Sequence, residues 1–211
     1  MEPHLLLVLI ALLYILGMGS LSVLRREGFS LQFAIEVIVV GGLLLVISLA
    51  AGQSLHPVFF ILVIYLITMR SRLLVDVGNQ LARRGRHAPA AWLYRLALQL
   101  RPDGPGRQVA LLNQAVHLLQ QGHLAASVHL LEGLLDGASG SLGHKHEAAA
   151  RYNLGVACLR QGNEARARTE FNKVIDEMPG SFYAAAARIA LKKGRQPKEP
   201  TAGFPDVPSD G

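Results

Sequence analysis

Charge is almost missing from the first third of this chain, and cysteine is almost missing from all of it. Before Arg70 the only formal charges are Glu2, Arg25, Arg26, Glu27 and Glu36. So sparse a set cannot clothe a water-soluble domain. Cys158 is the only cysteine, which excludes an intramolecular disulfide and fits a reducing compartment. It is read as a small buried apolar residue. No P-loop, no GxGxxG on a strand, no HExxH and no GxSxG occurs, and no paired carboxylates mark a cleft. The reading is therefore not an enzyme. Eight histidines are present, among them His117, His123 and His129, with His144 and His146 in a Gly/Ser-rich stretch. No thiol or well-spaced carboxylate completes a ligand set, so they are read as solvated, with no metal and no cofactor.

What the first 69 residues do have is apolar length. The runs 4–24 and 31–51 each hold about 20 residues, enough for a helix to cross a hydrocarbon core. A third run, 54–69, has its apolar part at Pro57–Met69. It reaches across only if flanking polar residues and the stems of Arg70 and Arg72 extend to the interfaces. Pro57 suits the first turn of that helix. Arg25 and Arg26 lie between the first two runs, and Arg70, Arg72, Arg83, Arg84 and Arg86 follow the third. The positive-inside bias then puts the N-terminus outside and the following domain in the cytoplasm. The Ala-, Leu-, Arg- and Gly-rich composition suggests a bacterial inner membrane. Glu36 falls inside the second run and is read as hydrated, about one turn from the interface.

After Arg70 a pattern repeats. Gly78, Gly85, Ala90 and Tyr94 have the same spacing as Ala115, Gly122, Ser127 and Leu131, and as Gly155, Gly162, Ala167 and Phe171. Pro102 and Pro179 close the first and third segments. A general amphipathic helix would not return small, glycine, small and bulky residues at fixed offsets. These segments resemble the tetratricopeptide repeat, a pair of antiparallel helices whose small residues allow close approach. The middle segment departs from it, with Leu131 for the aromatic, Leu134 where a small residue is expected and no closing proline. The resemblance implies an all-α fold: three transmembrane helices (1–69), then three repeats at about 71–104, 108–141 and 148–181. A cap at 181–194 completes the domain 70–194, and 195–211 is expected to be a disordered tail. No Gly or Pro lies between Val58 and Val77, so one helix is expected to run unbroken from the membrane into the first repeat.

The resemblance further implies a concave groove lined by the first helix of each repeat. Its positions carry over to Arg72, Asn79 and Arg83; to Asn113, Val116 and Leu119; and to Tyr152, Asn153, Val156, Leu159 and Arg160. A row of asparagines would hold a peptide backbone, and the arginines would grip acidic side chains. Val75 and Ala149 stand where family members that clamp a C-terminal carboxylate have lysines, so such a clamp is not expected. The basic balance after Arg70 suits acidic peptides, and Arg70, Arg72, Arg83, Arg84 and Arg86 suit anionic lipid. Basic residues are not interleaved with stacking aromatics, which argues against nucleic acid. The expected function is a membrane-anchored scaffold that recruits a protein segment. The alternative is a structural or assembly subunit that contacts a larger membrane complex through its transmembrane helices.

Overall fold

The computed structural model describes residues 3–24, 29–137 and 142–193. Among them every regular element is a helix. Arg25, Arg26, Gly194 and the tail 195–211, on which part of the sequence reading rested, lie outside the described residues.

Three apolar helices form the anchor: α1 (Pro3–Leu24), α2 (Leu31–Ala50) and α3 (Pro57–Thr68). Ser30 starts α2 by accepting a hydrogen bond from the Phe33 N–H. His56 Nδ1 does the same for the Val58 N–H, with Pro57 in the first turn of α3. The three pack around Leu7, Phe33, Val37, Phe60 and Ile64. Gly41 lies at their meeting point, where an added Cβ would touch Ile64 and Phe60 at 3.5 Å and Ala11 at 3.9 Å. Two of the helices, α1 and α2, are long and apolar enough to cross a membrane. At 12 residues, α3 spans only ~18 Å.

The expected unbroken helix is not formed. The chain breaks at Met69, and α4 (Arg70–Arg83) leaves α3 at 71°. The cause lies in side chains that compete for the last carbonyls of α3. Thr68 Oγ1 bonds back to the Ile64 carbonyl at 2.8 Å, a bond that bends helices, and it also meets the Tyr14 hydroxyl at 3.0 Å. The Arg70 guanidinium takes the Ile67 carbonyl at 2.7 Å. A kink needs neither Gly nor Pro when side chains insert into the backbone ladder in this way.

Beyond the bend, α4 pairs with α5 (His87–Gln99), α6 (Gly104–Gln120) with α7 (Leu124–Gly137), and α8 (His144–Arg160) with α9 (Glu164–Glu177). A last helix, α10 (Phe182–Lys193), packs on α8 and α9. Gly85, Gly122 and Gly162 turn each pair with φ of +73°, +80° and +84°, where a side chain would be strained. Gly78 and Gly155 let a ring lie on bare backbone. An added Cβ would come within 2.8 Å of Tyr94 and 2.6 Å of Phe171. In the middle pair Ala115 takes the small position, and the buried Ser127 hydroxyl donates to its carbonyl at 2.8 Å. The aromatic is replaced there by Leu131, which is fully buried. Ion pairs join the layers. Arg151 reaches Glu147 at 2.7 Å, Glu177 at 3.4 Å and buried Glu170 at 3.5 Å, and Arg166 pairs with Glu132 across the α7–α9 boundary. His144 and His146, expected in a loop, belong instead to the first turn of α8.

Candidate partner-binding surface

The first helices α4, α6 and α8 lie side by side, with α6 touching both neighbours. The candidate residues on them divide sharply by burial. On α8, Tyr152, Asn153, Val156 and Leu159 are interior, part of an unbroken buried run from Tyr152 to Leu159. This departs from a solvent-lined groove, and the reason is packing. Helix α8 is in contact with α6, α7, α9 and α10, and Tyr152 stacks on Phe171 and Tyr183 with ring centroids 5.8 Å apart. On α6, Asn113, Val116 and Leu119 are also buried. Arg72 and Asn79 are half-buried, and only Arg83 and Arg160 are well exposed.

The asparagines do not form an open row. Asn113 Nδ2 donates to the Val109 carbonyl and Asn153 Nδ2 to the Ala149 carbonyl, each at 2.8 Å and each one turn back on its own helix. Buried Asn153 Oδ1 has no hydrogen-bond partner. Asn79 differs. Its Oδ1 accepts from the Tyr94 hydroxyl at 2.8 Å, which fixes the amide and leaves its nitrogen as a donor. Burial pushes the Tyr94 phenol up to about 12, so it remains a donor at any physiological pH.

The structure does bring four candidates together. Asn79, Arg83, Asn113 and Val116 line one small pocket between α4 and α6, with Tyr94, His117 and Gln120. Its volume is about 10 Å³, room for one water-sized body. Arg83 donates to Gln80 at 2.9 Å, which leaves most of its guanidinium donors for another group. Arg160 stands apart and donates to the Leu119 carbonyl at 3.2 Å, tying α8 to the end of α6. Arg84 and Arg86 are exposed near the α4–α5 turn, whereas Arg70 is committed to the anchor.

His117 is the residue that the sequence reading missed. It is 2% exposed rather than solvated, and His146 is buried as well. Neither ring nitrogen of His117 has a hydrogen-bond partner, and its polar contact with the His87 backbone falls short of a full bond. Its ring lies 5.4 Å from both His87 and Tyr94. Burial, and then the charges of His87 and His123, hold its pKa below the ordinary value. The trace of this in the sequence is its place among Val116, Leu118 and Leu119, in the apolar second half of α6. Among the described residues, no three His, Cys, Asp or Glu side chains gather as a metal site would require.

Comparison with known proteins agrees with this architecture. A family model described as the tetratricopeptide repeat matches residues 112–182, the second and third helix pairs. No curated protein and no solved structure matches the chain. The first pair lies outside the matched segment but shares its Gly–aromatic contact and its positive-φ turn glycine. Residues 112–182 are thus a tetratricopeptide-repeat segment within a helical domain, and that domain follows two N-terminal helices long and apolar enough to anchor it in a membrane.

Proposed function

We propose that this protein is a membrane-anchored scaffold that recruits an acidic segment of a partner protein to the face between α4 and α6. The observation that carries the reading is the convergence of the Asn79 amide and the largely uncommitted Arg83 guanidinium on one pocket. Both can donate to a carboxylate, and Arg83 does so in a forked geometry. Arg160 extends the basic face along the first helices. The buried candidates Leu119, Tyr152, Asn153, Val156 and Leu159 shape that face from beneath without touching the partner. No catalytic step is assigned.

In this reading the repeats lie on the cytoplasmic side of a bacterial inner membrane, and Arg84 and Arg86 add attraction to anionic lipid. Arg25 and Arg26 between the first two spans, and the arginines from Arg70 onward after the third, support that orientation. It requires α3 to cross as a short third span, with its flanks reaching the interfaces.

A second reading, an assembly subunit held by its spans, is favoured by one observation. Leu12, Leu13 and Leu16 of α1 and Val39, Leu43 and Val46 of α2 are all more than half exposed, so much of the anchor is free to meet other helices. Co-purification from native membranes separates the two. If Asn79→Ala with Arg83→Gln loses the partner while the chain stays folded, the groove reading stands. If the same partners remain, the spans hold them and the groove reading fails.

A further inference from the structure

A second cavity, of about 110 Å³, lies where the anchor meets the repeats. The end of α1, the start of α2, the bend at Met69 and the start of α6 enclose it. Its floor is apolar, from Met18, Leu21, Phe33 and Met69, and its rim carries one cation and one anion, Arg72 and Asp103. A larger cavity of about 430 Å³ runs down the side of α1 along Ile15, Leu16, Val23 and Leu24. The two cavities share Gly19 and Phe29. They meet there because Gly19 has no side chain. An added Cβ would come within 2.7 Å of the Phe29 ring, which rests on the bare backbone as the wall between them.

The chemistry grades from charged to apolar over a short distance. The charged rim lies at the level where α1 ends and α2 begins, the headgroup level of a membrane these helices span. The apolar groove starts at that level at Leu24 and runs about 13 Å along α1 to Ile15, toward the hydrocarbon. Its size falls in the ~300–1,000 Å³ range of clefts that hold small molecules. A partner helix would need no charged rim, and a soluble ligand would need no flank open to lipid.

We infer that this is a phospholipid site, whose occupant carries a phosphate and a primary amine in one headgroup. Arg72 holds the phosphate; a guanidinium has five donors and accepts a phosphate alongside other partners. Asp103 holds the ammonium. One of its oxygens caps α6 by accepting from the Gly106 N–H at 2.9 Å, and its second oxygen is a further acceptor. The headgroup occupies the cavity, and one acyl chain lies in the open groove on α1 on the other side of Phe29. The repeats would thus be seated on a lipid as well as on the helices.

Native mass spectrometry of the full chain from detergent tests this, with titration by phosphatidylethanolamine, phosphatidylcholine and phosphatidylglycerol. Phosphatidylethanolamine should be held about tenfold more tightly than either of the others, the factor that one charge-assisted hydrogen bond supplies. A quaternary amine cannot donate to Asp103, and a glycerol headgroup has no amine. Asp103→Asn keeps the helix cap, since Asn caps as well as Asp. It should erase the preference over phosphatidylcholine and leave phosphatidylglycerol unchanged. Arg72→Gln should weaken all three. Equal retention of the three lipids by wild type would reveal ordinary boundary lipid and overturn the inference without any variant. So would a photo-crosslinker at Phe29 that captures a membrane protein in place of lipid.

Discussion

Glu36, inside the second apolar helix, receives two hydrogen bonds from the Arg70 guanidinium, at 2.6 and 3.0 Å. The same guanidinium donates to the Leu100 carbonyl at 3.0 Å, at the end of the first repeat. Gln32 completes the clamp with bonds to Glu36 at 3.1 Å and to the Arg101 carbonyl at 2.9 Å. Glu36 is therefore not merely hydrated but paired with Arg70. It fixes the repeats against the anchor across a chain that bends sharply at Met69.

Breaking this clamp should loosen the domain without unfolding it. Both side chains are about one-quarter exposed, so the pair is screened only in part. Glu36→Gln should cost about 1.5–3 kcal/mol of docking free energy, the range for hydrogen bonds to charged groups. Electron–electron distances between spin labels on α2 and α5 should broaden in the variant. An unchanged narrow distribution would show that apolar packing alone orients the repeats.

The small and bulky positions of each repeat are coupled by contact. Glycine faces an aromatic in the first and third repeats, and Ala115 and Leu131, both buried in one core, hold the equivalent positions in the second. Gly155→Ala pushes a methyl into the Phe171 ring and should cost about 1–3 kcal/mol, as overpacking does. Adding Phe171→Leu recreates the pairing of the second repeat and should recover part of that loss. A double-mutant cycle on thermal unfolding measures the coupling. Additive effects would contradict the contact.

Acid should weaken the repeats through His117. Its folded pKa lies below the unfolded value of about 6.5, so the unfolded chain binds the proton more readily. The contribution is complete above that pH, falls away as pH drops below it, and levels off beneath the folded pKa. His87, His123, Arg83 and Tyr94 are the cationic or titratable groups near it; the charges of His87 and His123 add to the effect, and the contact with the His87 backbone offsets it only in part. His117→Phe should flatten the dependence, as read by hydrogen exchange of α6 between pH 7 and 5. An equally steep dependence in the variant would move the effect elsewhere.

Ser127 carries a smaller term. Its hydroxyl is fully buried and bonds the Ala115 carbonyl across the α6–α7 contact. Ser127→Ala should lower stability by about 1 kcal/mol, one ordinary hydrogen bond, in chemical denaturation. A neutral result would mean that close packing of the smaller methyl compensates.

The helix pairs were legible because they follow from local steric needs. Gly85, Gly122 and Gly162 are required by a backbone conformation, and Gly78 and Gly155 by a ring in the partner helix. Both requirements recur at fixed spacing. The bend at Met69 was not legible, because it arises from Thr68 and Arg70 side chains and not from a breaking residue. The partner of Glu36 lies 34 positions away in the sequence, a pairing that no local pattern encodes. Burial of Tyr152–Leu159 depends on α8 being packed from four sides. The groove positions transferred from the family fall on α4, α6 and α8, but most of those side chains are buried and do not face solvent.

The most direct test of the scaffold account is a photo-crosslinking amino acid at position 83 of the full chain in its native membrane, with position 168 on α9 as the control. Arg83 borders the α4–α6 pocket, and Arg168 is exposed away from it. The account predicts one protein adduct from position 83 that is absent from position 168 and lost with Asn79→Ala. Adducts that are the same from both positions, or that survive Asn79→Ala unchanged, would contradict it.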